Sequence, residues 1–321
     1  MVNKNLLDEI ISSFARFYWL KPADVVWDSV NAYYIRDMLQ VEKDDVVLDL
    51  GAGDGVNTSL MFGGKIHPNY DRFISAKVKQ QEIGNNQFGD IYDEPILGRL
   101  EKAPNLKIDY ALELKNHHIK VAKSLNIYKK IIQSDFENVS VNKGSIDKIF
   151  SVFAFYWGEN MQKQLSEVHR VLNKNGKFAL NVPSEHLKSM HIAKQISSMK
   201  GIGTTFREFA KNLDGGRSEF VSRHSRSQDE WTSLFVENGF KVIQVKKIVN
   251  ETMFFIQDSA QRVFFPILLN LIQENREIFT HRDFVVDNLV KPFVYSILDY
   301  ELKINGDDRH GYYTFLLEKK N

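Results

Sequence analysis

Residues 46–55 read VVLDLGAGDG. A short β-branched and apolar run carries one acid, Asp49, and then glycine takes every other position, 51, 53 and 55. Such a run is the pattern of a buried strand, and glycines at its end let the chain turn tightly while a ligand approaches the backbone. VNTSLMF, from Val56, follows as the start of a helix. Strand, glycine turn and helix N-terminus together set backbone N–H groups and the positive end of a helix beside whatever binds.

Working outward, the same grammar repeats. Strand-like runs recur as IDYALEL (108–114), KIIQSD (130–135), IDKIFSVFAF (146–155) and GKFALNVP (176–183). Helical stretches separate most of them, NHHIKVAKSLN after the second strand and ENMQKQLSEVHRVLN after the fourth. Strands alternating with helices predict a parallel sheet covered on both faces. DEWTSLFVENGFKVIQVKKIV adds a helix and a strand, and GYYTFLLEKK reads as a last strand. Residues 1–40 predict two amphipathic helices, one carrying Leu6, Ile10 and Phe14, the other Val26, Val30 and Tyr33.

Three nucleotide-type ligands use a strand–glycine–helix turn. A phosphate loop needs Gly-Lys-Ser/Thr at its end, and here the chain runs Gly55-Val56-Asn57, which excludes it. A dinucleotide fingerprint needs a small residue where Val56 stands, and a pyrophosphate would sit badly beside Asp54. Acids at 49 and 54 suit instead a ligand that carries positive charge.

Asp-Leu-Gly-x-Gly-Asp-Gly after a strand resembles the first motif of the class I S-adenosylmethionine-dependent methyltransferases. In that family the second strand ends in an acid that takes both ribose hydroxyls, and Glu113 in YALELKNHH stands there. An Asp after the third strand accepts from the adenine amino group, and IIQSDFENV supplies Asp135, with Phe136 placed to lie on the ring. SIDKIFSVFAFYW resembles the fourth strand under the methyl donor, and LSEVHRVLNKNGKFALNVP the following helix–turn–strand, with Asn175 in place of proline.

The resemblance implies an α/β fold, a Rossmann-like and mostly parallel seven-stranded sheet with helices on both faces. Residues 41–183 are then the core that binds S-adenosylmethionine and releases S-adenosylhomocysteine. Residues 1–40 form a helical cover, and the core is completed by 226–250 and 311–319. It implies cofactor contacts from Asp49, Gly51, Ala52, Gly53, Gly55, Glu113, Leu114, Asp135, Phe136 and Phe153. The basic fold does not require the insertions 62–105, 184–226 and 252–306. Long insertions of this kind are lids, binding loops or added subdomains. The segment 252–300 reads equally as a lid and as a homodimer surface.

Transfer to a hydroxyl needs a base, because a free alcohol hardly ionises near neutral pH. Candidates should follow the C-terminal ends of the strands. FAFYWGEN offers Tyr156, with Trp157 and Glu159 as acceptor contacts. NVPSEHLK offers His186, the preferred base, and GGRSEFVSRHSRS offers His224, with Arg223 and Arg226 placed for an anionic acceptor. His169 is read as structural, His117 and His118 as a solvated helix start. No His and carboxylate spacing suggests a metal.

Composition narrows the partners. The 42 basic residues nearly cancel the 41 acidic ones, which argues against a nucleic-acid binder. Cysteine is absent, which excludes disulfides, thiolate metal sites and a cysteine nucleophile and fits a reducing compartment. Asp8, Glu9 and Arg16 interrupt the N-terminal apolar run, unlike a signal peptide, and no segment nears the roughly 20 apolar residues of a membrane span. The expected protein is a cytoplasmic methyltransferase with a small-molecule acceptor, most simply a hydroxyl of a sugar, glycan or natural-product intermediate. Methylation of RNA or protein, or a pocket that binds the donor without transfer, are the alternatives.

Overall fold

The computed structural model describes residues 3–68, 70–75, 77–78, 92–93, 100–191, 195–196, 199–201, 203–214, 216–303 and 309–320. Its centre is a seven-stranded sheet. The strands are β1 (Val47–Leu50), β2 (Ile108–Glu113), β3 (Tyr128–Gln133), β4 (Ile146–Ser151), β5 (Leu172–Pro183), β6 (Phe240–Asn250) and β7 (His310–Lys319). Their order across the sheet is β3-β2-β1-β4-β5-β7-β6. β1 pairs in parallel with β2 and β4, β2 with β3, and β4 with β5, whereas β7 runs antiparallel to both β5 and β6.

This order reverses at β1. The chain moves outward to β2 and β3 on one side, then returns to β4 and β5 on the other, so a crevice opens beyond the C-terminal end of β1. Every residue of β1 is buried, as a central parallel strand covered on both faces requires. Leu48 pairs with Tyr110 on one side and Ile149 on the other.

One expected strand is shorter than its apolar run suggested. IDKIFSVFAF forms β4 only as far as Ser151. Phe153 then adopts a left-handed φ of 51°, and Phe155–Trp157 closes into a single 3₁₀ turn. The apolar character of 152–157 reflects burial in the crevice and not extension.

Helix α1 (Lys4–Phe17) begins at Asn3, whose side chain accepts from Leu6 N–H, a regular cap. Helix α2 (Pro22–Leu39) starts with proline in its first turn, where the missing N–H costs nothing. Its amphipathicity is weaker than expected, because it is buried on several sides: Trp27 packs on Phe153, Phe254 and Tyr312. Cover helix, crevice and 252–306 insertion therefore meet at one indole.

The glycine loop leads into the short α3 (Val56–Met61), and α4 (Asn116–Leu125) and α5 (Met161–Val171) make the crossovers. In the first insertion, Lys65–Ile66 pairs with Leu100–Lys102, and Asp71 accepts from the Trp19 indole at 2.8 Å. DIYDEP lies outside the described residues apart from Tyr92 and Asp93. The second insertion closes on itself through a Ser184–Arg226 bridge and contributes α6 (Thr204–Asp214) and α7 (Arg217–His224). A capping box of Ser227 and Glu230 opens α8 (Gln228–Glu237). The third insertion is helical as expected, with α9 (Arg262–Glu274) and α10 (Lys291–Lys303) as its longest parts.

The third insertion is bolted to the core as well as to the cover. Gln261 accepts from Ala23 N–H and donates to Asp24. Glu301, buried on α10, accepts from the N–H groups of Val249 and Asn250 at 2.6 and 3.0 Å, which holds Val249 at its left-handed φ of 63°. On the outer side Phe264, Leu268 and Leu271 remain exposed. Among the described residues, no helix is long and apolar enough to cross a membrane.

Removing the Glu301 carboxylate strands two shielded N–H donors. Glu301→Ala is expected to lower unfolding stability by about 2 kcal/mol, the cost typical of buried donors without acceptors. A urea titration of both proteins measures it.

Candidate active site

Two adjoining cavities occupy the crevice. The larger, about 860 Å³, is lined by Gly51, Gly53, Glu113, Leu114, Asp135, Phe136, Phe153, Trp157 and Glu159, with Lys115, His118 and Arg217. The smaller, about 300 Å³, lies toward the cover helices and is lined by Asp49, Ala52, Asp54 and Asn57 together with Tyr18 and Asp28. Gly51, Gly53 and Phe153 border both.

The glycine loop is shaped by local constraints that differ at each glycine. All three have φ between +57 and +87°, a conformation that penalises any side chain. A Cβ on Gly51 would strike the Ala154 side chain and press on Phe136 at 3.2 Å. One on Gly53 would meet no protein atom within 4 Å, so this position faces open cavity. One on Gly55 would meet the Tyr128 ring at 3.0 Å, and Gly55 borders neither cavity. Its expected place as a contact residue is corrected: packing on Tyr128 and the turn into α3 account for it.

Glu113 ties the loop to β2. Its Oε2 accepts from Gly53 N–H at 2.8 Å, and its Oε1 accepts from Leu114 and Lys115 N–H at 2.9 and 2.8 Å. Burial opposes the charge, but His118, 3.6 Å away, and these N–H groups outweigh it and hold the carboxyl below its ordinary range. A carboxylate has about four acceptor positions, so Oε2 still has one to offer the cavity. His118, expected on a solvated surface, is a wall of this cavity.

Asp49 is 2% exposed and accepts from Thr58 Oγ1 at 2.6 Å and Tyr128 O–H at 2.7 Å, both on Oδ2. Burial pushes its pKa up to about 7 despite these donors. Asp135 is exposed and caps its own turn, Oδ1 accepting from Glu137 N–H at 3.0 Å. Phe136 leans on Phe155.

Beyond β4, Trp157 stacks on Phe220 of α7 with centroids 4.8 Å apart, and its indole donates to the Phe153 carbonyl at 3.0 Å. That bond pins the residue whose backbone is strained, a combination typical of sites that need one fixed geometry.

The expected bases lie elsewhere. His186 borders neither cavity: it sits 3.8 Å from Glu185 and edge-on to His310. His224 stacks on Phe220 and bonds the Phe220 carbonyl through Nδ1 at 2.9 Å. Tyr156 is fully buried beneath the cavity floor, next to Tyr312 and Trp157. Arg223 pairs with Glu219 at 2.8 Å on the surface, and Arg226 lies over the Trp231 ring. These five are corrected as site residues on geometric grounds.

Two residues of the site escaped the sequence reading. Asp28, on α2, lies beside the Asn57 amide, whose Oδ1 accepts from Tyr18 O–H at 2.9 Å. Burial first, then the neighbouring Asp24, push the Asp28 pKa up to about 8, against the opposing pull of Lys21 and Arg72. An acid inside the otherwise apolar run VVWDSV was the visible signal. Arg217 opens α7; within GGRSEFVSRHSRS nothing local separates it from Arg223 or Arg226.

A family model described as Methyltransferase domain matches residues 99–180, spanning β2 to most of β5 and beginning after the glycine loop. No curated protein matches the sequence. Among solved structures, a chain from the complex of the Haloferax volcanii Trm112 methyltransferase activator with a methyltransferase is similar at 15% identity and TM-score 0.49, covering 97% of this chain and 98% of that one. A sarcosine dimethylglycine methyltransferase from Galdieria sulphuraria is similar at 14% identity and TM-score 0.46, covering 92% and 84%. A methyltransferase from Thermotoga maritima reaches 10% and 0.42, covering 96% and 91%. The match of residues 99–180 to a methyltransferase domain and the reversal of strand order at β1 agree on one conclusion: the chain has the Rossmann-like fold and the domain of a class I S-adenosylmethionine-dependent methyltransferase.

Proposed function

We propose that this enzyme methylates a small-molecule acceptor, most simply at a hydroxyl of a sugar, glycan or natural-product intermediate. The observation that carries this reading is the cavity of about 860 Å³ that runs from Gly51 and Gly53, past the residues that fit the donor, to Phe153, Trp157, Glu159 and Arg217. Sites for small ligands have this size and this predominance of apolar walls.

The residues present fit the methyl donor. Open space over Gly53, the free acceptor position of Glu113 and the Asp135-Phe136 pair would hold the adenosine part, with Leu114 alongside. Asp49, Ala52 and Asp54 would face the positively charged amino acid part. The donor, when bound, supplies an activated methyl on a sulfonium. The chain must align the acceptor with it and exclude water. Phe153 and Trp157 shape the wall on the acceptor side, and Glu159 offers it a polar contact. Asp28, on the smaller cavity that meets the larger one at Gly51, Gly53 and Phe153, replaces His186 and His224 as the acid–base candidate. Its carboxyl is poised near neutrality, where a general base works best, whereas Asp49 has Oδ2 occupied by two donors.

Incubation with methyl-labelled donor tests the acceptor class: label is expected in the small-molecule fraction of a cell extract, and label confined to RNA or protein would refute this reading. Calorimetry with S-adenosylhomocysteine should show affinity falling at least tenfold in Glu113→Ala and in Gly53→Val. Asp28→Asn should keep that affinity while turnover falls about 100-fold or more, the usual contribution of a general base.

Asp28 also links pH to stability. Folding raises its pKa from 3.8 to about 8 and that of Asp49 from 3.8 to about 7. The native state therefore binds protons that the unfolded chain has released. The associated stability is fully present below 3.8 and is lost as pH rises through about 7 and then 8. Urea midpoints should fall between about pH 5 and about pH 8.5, and the fall should be shallower in Asp28→Asn. Activity should move the opposite way, rising with pH as Asp28 ionises.

A further inference from the structure

Arg217 lines the larger cavity beside Phe153, Ala154 and Trp157. It is the first residue of α7, entered through Gly216 at a left-handed φ of 81°. Its Nε is shielded from solvent and has no hydrogen-bond partner. The Tyr312 and Tyr156 hydroxyls lie close enough to the guanidinium to interact with its charge.

The carboxylates around it are engaged elsewhere. Asp214 accepts from Ser218 N–H at 3.1 Å and from Ser218 Oγ at 2.8 Å, which caps α7. Asp258 pairs with Arg262 at 2.9 Å and faces His191 at 3.8 Å. Among the described residues Arg217 forms no ion pair, although Glu159 lines the same cavity. Burial works against its charge, but Tyr312, Tyr156, Asp258 and Asp214 act in the opposite direction, and it remains a cation.

A shielded guanidinium without a carboxylate is costly, and proteins rarely keep one without a use. In a cavity walled by aromatic rings, one planar fork of donors supplies the directional contact that fixes a ligand's orientation. The insertion 184–226 carries it, whereas the residues fitted to the adenosine part stand at the ends of β2 and β3. The smaller cavity is lined by Asp28, Asp49 and Asp54 with no basic side chain, whereas the larger one carries Arg217 and Lys115 among its acids.

We propose that the methyl acceptor bears an anionic group, a carboxylate or a phosphate, that docks on Arg217 beside the Tyr312 hydroxyl. This deepens the reading of the Trp157, Glu159 and Arg217 end of the larger cavity as the acceptor space and rests on it. Recognition thus moves from the surface residues Arg223 and Arg226 to a cation inside the pocket.

The test titrates the protein with inorganic phosphate and, separately, with acetate, each with and without S-adenosylhomocysteine, by calorimetry and by the fluorescence of Trp157. The expected result is saturable binding of at least one anion, weakened tenfold or more in Arg217→Gln, partly retained in Arg217→Lys, with S-adenosylhomocysteine affinity unchanged in both. The melting temperature of Arg217→Met without anion should equal or exceed that of the parent, because an uncompensated charge has been removed. The proposal is overturned if neither anion binds saturably, or if Arg217→Gln binds them as well as the parent. It is also overturned if the Gln variant loses S-adenosylhomocysteine affinity tenfold, which would assign the guanidinium to the cofactor's own carboxylate. Loss of the proposed function would show differently, as an absent S-adenosylhomocysteine signal in the parent while the anion signal persisted.

Discussion

One carboxylate holds the site in shape. Glu113 accepts from Gly53 across the crevice and from Leu114 and Lys115 behind it, so the ends of two neighbouring parallel strands are locked at a fixed separation. Gly51 and Ala52 add N–H bonds to the Leu112 carbonyl at 2.9 and 3.0 Å. The glycine loop therefore leans on β2 and leaves the space above Gly53 clear of protein atoms. A loop held by the chain's own hydrogen bonds reduces the ordering cost that binding would otherwise incur.

Around that fixed loop the chain builds two adjoining chambers. The chain segment of α1 and α2 lines the smaller one, with Tyr18 O–H donating to Asn57 and Asp28 beside that amide. The insertion 184–226 closes the larger one through the Trp157–Phe220 stack and Arg217. Phe153 stands between them at a strained φ, held by Trp27 on one side, Tyr312 on another and the Trp157 indole above its carbonyl. Elements far apart in the chain thus converge on a residue that borders both chambers.

The sheet was legible because its signals are local. Continuous apolar runs broken by glycine and acid mark parallel strand ends, and VVLDLGAGDG, YALELK and IIQSDF each carry both marks. β4 was overextended because an apolar run buried in a crevice and an apolar run in a strand look alike until a left-handed Phe153 separates them. Asp28 was passed over because helix periodicity explains its neighbours and hides one acid among them. Arg217 could not be told from Arg223 and Arg226, since the difference is tertiary: two face water or an indole, one faces a cavity. His186 and His224 were attractive for their positions after strand ends, but their rings are occupied by His310 and Phe220.

The central claim is that the methyl donor spans the two chambers across Gly53, its adenosine by Glu113 and Phe136 and its amino acid part toward Asp49. A crystal structure of the protein with S-adenosylhomocysteine tests this most directly. The account predicts ribose oxygens within hydrogen-bond distance of Glu113, adenine against Phe136, and the sulfur beside Phe153. Density for the ligand elsewhere on the molecule, or an empty crevice at saturating ligand, would contradict it.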